Sequence, residues 1–128
     1  MIIKCPLRSP YIKSLPFGSY SALIRKMLNK ADHDGVDLAA PEGTKIYGVS
    51  EKEIVMRVGQ DMNGMKYVFT YYLTPNNNVF FFVYRHLKNV QVSTEQMINW
   101  ETFIGEIAKD HVHFEICGAI DPEKYIKL

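Results

Sequence analysis

Two of the chain's four histidines lie two residues apart in the segment HVHFE, residues 111–115. Alternate residues of a β-strand share a face, so His111, His113 and Glu115 would point the same way on a strand. Neutral imidazole is a common zinc ligand, and two imidazoles on one face suit a metal site. The pair alone leaves a second interpretation open, in which two surface histidines lie on an exposed sheet face.

The other two histidines also lie beside polar or turn-forming residues. His33 begins the segment HDGVDLAAPEGT, and Asp37 follows four residues later, after Gly35, which permits a tight turn. Zinc binds histidine nitrogen at about 2.0–2.1 Å and carboxylate oxygen at about 2.0–2.2 Å, so His33 and Asp37 could share one ion. We interpret Asp34 as a solvated turn residue. His86 lies in VYRHL, at the end of a predicted strand.

Most local patterns predict β-strands as the elements that position these residues. Aromatic and β-branched residues concentrate in 66–73 and 78–85, and the turn cluster TPNN between them predicts a hairpin. Residues 53–58 predict another strand. Residues 111–116 alternate polar and apolar side chains, which indicates a half-buried strand. Its apolar side chains would face the core: Val112, Phe114 and Ile116.

Two segments follow other patterns. Residues 20–30 have helix-like spacing of apolar side chains and predict a short helix, whereas residues 94–104 are ambiguous between helix and strand. Taken together, the patterns predict a mainly antiparallel β domain with little helix.

Length and composition predict one globular domain spanning residues 1–128. Hydrophobic residues make up 47% and charged residues 23%, and no linker or repeat divides the chain. The net charge of +1 argues against nucleic acid as a partner. No apolar stretch approaches the roughly 18–20 residues of a membrane helix, so we expect no membrane span. No pattern indicates an oligomeric state.

Three segments together resemble the signature of the lysostaphin-type, LytM-like zinc metalloendopeptidases. HDGVDLAAPEGTKIYG (33–48), YRHL (84–87) and HVHFE (111–115) are similar to that family's HxGxDxxxxxGTxVxA, YxHL and HxHFE, in the same order. The PFG at 16–18 and the DPEKYI at 121–126 resemble flanking elements of the family. The three central segments contain every histidine in the chain, so their resemblance is far more specific than any one motif.

The resemblance implies a role for each of five residues. His33, Asp37 and His113 correspond to the ligands of one zinc ion. His111 and His86 correspond to the catalytic pair. We expect His111 to be the general base and His86 to donate a hydrogen bond to the developing oxyanion, with the reverse assignment left open.

For two further residues, the sequence allows either a role at the site or an ordinary structural role. Glu115 shares the strand face of His113, so it would either orient a histidine or be a plain surface carboxylate. Tyr84 alternates with His86, so it would either line the substrate groove or pack at the groove edge as an ordinary strand aromatic.

The resemblance also implies a fold and an activity. The fold would be a compact, twisted antiparallel sheet, similar to a duplicated hybrid motif, with a groove that holds the zinc ion. The activity would be hydrolysis of peptide bonds in bacterial peptidoglycan, in cross-links or stem peptides, by a zinc-activated water. The alternative is a catalytically silent cell-wall-binding or phage structural homologue. The intact set of chemical residues favours the enzyme.

The chain departs from the family pattern before the last motif. There it reads GEIAKDHVHFE, with Lys109 and Asp110 where glycine and proline are usual, which leaves the substrate preference and the bond cut open. The N-terminal segment lacks the long apolar core and cleavage site of a secretory signal. We therefore expect synthesis in the cytoplasm and a phage protein that is virion-associated or released to the cell wall at lysis.

Overall fold

The computed structural model describes residues 3–15, Gly18, 35–117 and 121–125. Within these ranges, nine strands form one antiparallel sheet and a single short 3₁₀ helix covers Pro122–Lys124. The mainly β architecture with little helix confirms the predicted fold class. The strands are β1 (Ile12–Leu15), β2 (Val36–Ala39), β3 (Lys45–Tyr47), β4 (Glu53–Gln60), β5 (Lys66–Leu73), β6 (Val79–Lys88), β7 (Met97–Ile98), β8 (Phe103–Ile107) and β9 (His111–Ile116).

The strongest strand patterns are confirmed. Strands β5 and β9 have the predicted bounds, whereas β4 and β6 continue beyond the predicted 53–58 and 78–85. The predicted hairpin joins β5 to β6. Its turn is closed by the Thr74 N–H, which donates to the Asn78 carbonyl at 2.8 Å, and Asn77 adopts a φ of 62°. Asparagine tolerates this left-handed conformation better than most residues.

The ambiguous segment 94–104 contains strand rather than helix. Strand β7 and the start of β8 lie within it, and the Thr102 N–H donates to the Asn99 carbonyl in the turn between them. The predicted helix at 20–30 lies outside the described residues. Among the residues that are described, no helix is long and apolar enough to cross a membrane.

Strand order places β9, which carries HVHFE, between β2 and β6. The order is β1-β2-β9-β6-β5-β4-β7, and β3 pairs with β8, which in turn pairs with the end of β6. Residues 82–85 of β6 therefore pair with β9, whereas Leu87 and Lys88 pair with β8. The HVHFE strand thus has a neighbour on each side, β2 and β6.

One face of these strands forms the core. The apolar residues of β9 are fully buried, as predicted, and the ring of Phe114 lies 5.8 Å from Phe82 and 5.4 Å from Tyr84. Val36 and Leu38 of β2 are also fully buried. The intervening residues of all three strands point to the opposite face. Burial of the apolar set therefore fixes the register, since a one-residue shift would exchange the two faces.

A buried carboxylate anchors β4 beneath this core. Glu53 is fully buried and accepts hydrogen bonds from the Tyr84 hydroxyl at 2.6 Å and the Thr70 hydroxyl at 2.8 Å. It also accepts from the N–H groups of Val49 at 2.9 Å and Ser50 at 3.1 Å. Burial and the nearby Glu53 carboxylate raise the pKa of Tyr84 well above 10, so its hydroxyl keeps the proton that it donates.

We expect Tyr84→Phe to lower the free energy of unfolding by about 1–3 kcal/mol, because a buried carboxylate loses one of its donors. Urea denaturation measures the change. The matched control is Tyr72→Phe, whose hydroxyl bonds the exposed Glu51 carboxylate at 3.3 Å. It should change stability by no more than about 0.5 kcal/mol. Equal losses in both variants would contradict a special role for the Glu53 cluster.

Candidate active site

Two of the predicted zinc ligands face each other across neighbouring strands. Asp37 of β2 is the direct register partner of His113 of β9. The Asp37 Oδ1 lies 2.8 Å from the His113 Nδ1, and their side chains are 15% and 7% exposed. Two ligands of one tetrahedral zinc ion lie roughly 3.3 Å apart, from the usual bond lengths. The observed 2.8 Å is a hydrogen-bond distance, so the two side chains are adjacent and would separate slightly to share an ion.

Gly35 makes room for this pair. A Cβ at residue 35 would lie 2.3 Å from the Phe114 carbonyl oxygen and 2.9 Å from the His113 Nε2. The φ of Gly35 lies outside the left-handed region. The glycine is therefore required by close approach of β9, and not by the tight turn that the sequence suggested.

His111 lies next to the Asp37–His113 pair on the same face. Its register partner in β2 is Ala39, whose small side chain leaves the imidazole 32% exposed. The His111 Nε2 lies 4.0 Å from the Asp37 Oδ2, and the Nδ1 lies 2.7 Å from the Asp110 Oδ1. Because a carboxylate only accepts, the Nδ1 carries the proton in this contact, which orients the ring.

Asp110 was noted in the sequence only as a departure from the family pattern. The structure places it beside His111 as the partner of the ring. The available signal was the position of a carboxylate directly before the histidine, but adjacency along a chain does not predict a contact between side chains.

A β-bulge brings His86 to the site. In the pairing of β6 with β5, Arg85 pairs with Tyr67 and Leu87 with Lys66, so His86 is an extra residue. Its φ of 68° is unusual for a residue other than glycine. Its ring centroid lies 4.9 Å from that of His111 and 6.1 Å from that of His113. The strained backbone therefore places a third imidazole among the site residues.

His86 is held in its neutral form. Burial lowers the pKa of His86, and the neighbouring His111 and His113 lower it further. Its Nδ1 is buried and has no hydrogen-bond partner among the described residues. A neutral imidazole can donate from one nitrogen and accept at the other, so this ring can donate to substrate without carrying charge.

Of the two roles left open for Tyr84, the possible groove-lining role is contradicted by its position. Its side chain is fully buried, and its hydroxyl bonds Glu53 at 2.6 Å on the core side of the sheet. The expected alternation with His86 fails because the bulge at His86 reverses the period of two along β6. Tyr84 therefore belongs to the core and His86 to the opposite face.

Glu115 contacts two neighbours at the site, the imidazole of His113 and the guanidinium of Arg85. The Glu115 Oε1 lies 3.4 Å from the His113 Nε2 and 2.9 Å from the Arg85 Nε. The Glu115 side chain is only 12% exposed, which differs from a plain surface carboxylate. Arg85 had no assigned role in the sequence analysis. Its position in β6 opposite His113 depends on the pairing of β6 with β9, which no local pattern encodes.

The third predicted ligand, His33, and the neighbouring Asp34 lie outside the described residues. Among the described residues, no group of three or more His, Cys, Asp or Glu side chains is arranged to hold a metal ion. Two of the three predicted ligands are thus seen together, and both predicted catalytic histidines lie within one cluster with them.

An open apolar cavity of about 500 Å³ adjoins the cluster at β1 and β2. Asp110, the partner of His111, lies on its wall. The other lining residues are mostly apolar and small: Pro10, Tyr11, Ile12, Ala39, Ala40 and Pro41. The cavity therefore offers a mainly apolar surface next to Asp110, the residue that contacts the His111 ring.

Solved structures share this fold at low sequence identity. A mutant catalytic domain of EnpA, a prophage-encoded M23 protein from Enterococcus faecalis, has a TM-score of 0.66 and 20% identity, over 91% of this chain and 92% of that chain. The catalytic domain of the antimicrobial peptidase lysostaphin from Staphylococcus simulans has a TM-score of 0.69 and 21% identity, over 90% and 91%. These similarities show a common fold.

A zinc-containing peptidase from Vibrio cholerae has a TM-score of 0.70 and 20% identity. The match covers 91% of this chain but only 36% of that chain, so this chain corresponds to about a third of the Vibrio protein.

No curated protein matches the sequence. The family profile described as Peptidase family M23 matches residues 31–122, which are most of the chain. The chain therefore belongs to peptidase family M23.

Proposed function

We propose that this protein is a zinc-dependent endopeptidase that hydrolyses peptide bonds of bacterial peptidoglycan, in cross-links or stem peptides. The observation that carries the proposal is the 2.8 Å approach of Asp37 to His113, beside the rings of His111 and His86. Membership of a peptidase family supports the class of reaction. The lysostaphin-type signature in the sequence supports the class of substrate.

His33, Asp37 and His113 hold the single zinc ion in this proposal. Asp37 and His113 fit the ion because they supply a carboxylate and an imidazole, the ligand types that zinc accepts, on adjacent strands and in direct contact. The chemistry that a bound zinc ion supplies is Lewis acidity, which polarises a carbonyl and lowers the pKa of water from about 15.7 to about 7. With three protein ligands, a bound zinc ion would still be able to take water or substrate.

His111 is the general base. Its ring is partly exposed, so it can reach a water molecule and the substrate. Asp110 at 2.7 Å fixes the ring with the Nδ1 protonated, which leaves the Nε2, on the Asp37 side, to accept a proton. The same nitrogen then returns the proton to the leaving amine. A base that is itself oriented by a third group is a recurring arrangement in hydrolases.

His86 donates a hydrogen bond to the oxygen on which negative charge develops. Its lowered pKa keeps it neutral, and a neutral imidazole is a suitable donor with a fixed position. The bulge that holds it belongs to the sheet and not to a long loop. The donor is therefore in place before the substrate binds.

The apolar cavity next to Asp110 takes a small apolar side chain of the substrate peptide. Its walls are built mainly from proline and alanine, and they include Asp110, which contacts the His111 ring. EnpA is described as prophage-encoded, and lysostaphin as an antimicrobial peptidase. In this proposal the protein is likewise phage-associated, and its place of action is the bacterial cell wall.

Digestion of purified peptidoglycan tests the proposal. Zinc-loaded protein should release fragments with new peptide ends, which mass spectrometry identifies and which name the bond. A chelator should abolish their release, and added zinc should restore it, because the reaction depends on the metal. Folded, zinc-loaded protein that leaves peptidoglycan intact would contradict the proposed substrate.

A further inference from the structure

Three polar side chains form a row across three neighbouring strands. His113 of β9 has Asp37 of β2 as its register partner on one side and Arg85 of β6 on the other. Side chains directly opposite one another in a sheet lie about 4.5–5.5 Å apart at Cβ, close enough to interact. The candidate zinc ligand His113 is thus flanked by an anion and a cation.

Glu115 connects the arginine to the histidine. One oxygen, Oε1, contacts both the Arg85 Nε at 2.9 Å and the His113 Nε2 at 3.4 Å. The two nitrogens of His113 therefore face different partners, Nδ1 facing Asp37 and Nε2 facing Glu115. Among the described residues, the Nδ1 is therefore the nitrogen on the side of Asp37, the neighbouring candidate ligand.

We propose that Arg85 is a positioning residue that acts through Glu115 on His113, holding the imidazole with its Nδ1 towards Asp37, the neighbouring candidate zinc ligand. This inference rests on the proposed function, because it concerns a ligand of the proposed zinc site. The Glu115 Oε1, 3.4 Å from the His113 Nε2, would accept from the Nε2–H of the zinc-bound ring, and Arg85 holds the Glu115 carboxylate in the place where it can do so. Carboxylates that accept from the second nitrogen of a ligand histidine raise its affinity for metal.

The physical reason for the arginine is the position of Glu115. The Glu115 side chain is only 12% exposed and shares a face with the Asp37 carboxylate. A guanidinium beside it offsets the cost of holding a second carboxylate there. The Arg85 guanidinium also lies 5.4 Å from the centre of the Tyr67 ring, which fixes it from the other side. Without Arg85, the Glu115 carboxylate would lose the guanidinium that holds its Oε1 beside His113.

Zinc affinity, measured by competition with a chelator, tests the proposal independently of hydrolysis. We expect Glu115→Gln to weaken zinc binding about 10- to 100-fold, and Arg85→Met to weaken it by about 10-fold. The double variant should bind zinc no more weakly than Glu115→Gln alone, because Arg85 acts only through Glu115. Lys88→Met is the matched control. Lys88 belongs to the same strand but pairs with Glu42 at 2.8 Å, and its loss should leave zinc affinity unchanged.

A second measurement separates positioning from general stability. In the zinc-loaded protein, the His113 Nε2–H should give a slowly exchanging proton signal by NMR, and Arg85→Met should speed its exchange. Affinity of Arg85→Met equal to that of Lys88→Met, or multiplying losses in the double variant, would overturn the proposal. Zinc-loaded protein that fails to cleave peptidoglycan would overturn the proposed function and leave this result standing.

Discussion

His113→Ala is expected to abolish stoichiometric zinc binding and to lower kcat/KM on peptidoglycan by about 1,000-fold or more. The variant removes an imidazole whose Nδ1 lies 2.8 Å from the Asp37 Oδ1, and so removes one of three proposed ligands. Lewis-acid stabilisation contributes several kcal/mol to such reactions, and each 1.36 kcal/mol corresponds to a tenfold change in rate. Metal analysis of the purified protein and fragment release measure the two effects.

The control for this variant is Asp37→Asn, which keeps the size of the side chain and removes its charge. It should weaken zinc binding strongly but leave the fold intact, as judged by circular dichroism in the presence of chelator. Loss of the fold in His113→Ala alone would indicate a packing role, because the His113 side chain is only 7% exposed. Retention of one zinc ion per chain in both variants would refute the proposed ligand set.

His111→Ala is expected to retain zinc and to lower kcat by about 100- to 10,000-fold, the usual contribution of a general base. The residue lies on the same strand face as His113, but its Nε2 is 4.0 Å from the Asp37 Oδ2 and its Nδ1 bonds Asp110. Its loss should therefore affect proton transfer more than metal binding. Steady-state kinetics on released peptide fragments, with zinc content measured in parallel, separates the two.

The comparison for this variant is His86→Gln. Glutamine retains a donor, so kcat should fall less than in His86→Ala, as expected for a residue that stabilises an oxyanion. His111→Gln should gain no such rescue, because an amide is not a base. If His111→Gln were active and His86→Gln were not, the two roles would be reversed, as the sequence left open.

The strands that carry the site could be predicted because their patterns are local. Alternation in residues 111–116 indicated which side chains of β9 would be buried, and the structure buries Val112, Phe114 and Ile116. Aromatic and β-branched residues in the same way indicated β5 and β6. The segment 94–104 could not be assigned, because short strands such as β7 contain too few residues to show a period.

The candidate histidines were also available from the sequence, because a motif reports residue types and their order. The distances between these side chains could not be read from the sequence. Asp37 and His113 are 76 residues apart, and only the pairing of β2 with β9 places them opposite each other. Arg85 and Glu115 meet for the same reason, through the pairing of β6 with β9.

The order of the three histidine segments, through their resemblance to a family signature, indicated candidate residues for zinc chemistry. The buried faces of the strands followed from a period of two, which is a property of short segments. Only the tertiary structure decided that His86 faces the site and Tyr84 the core, since the bulge between them arises where β6 changes partner from β9 to β8. That change depends on hydrogen bonds between strands distant in sequence, and no local pattern in YRHL encodes it.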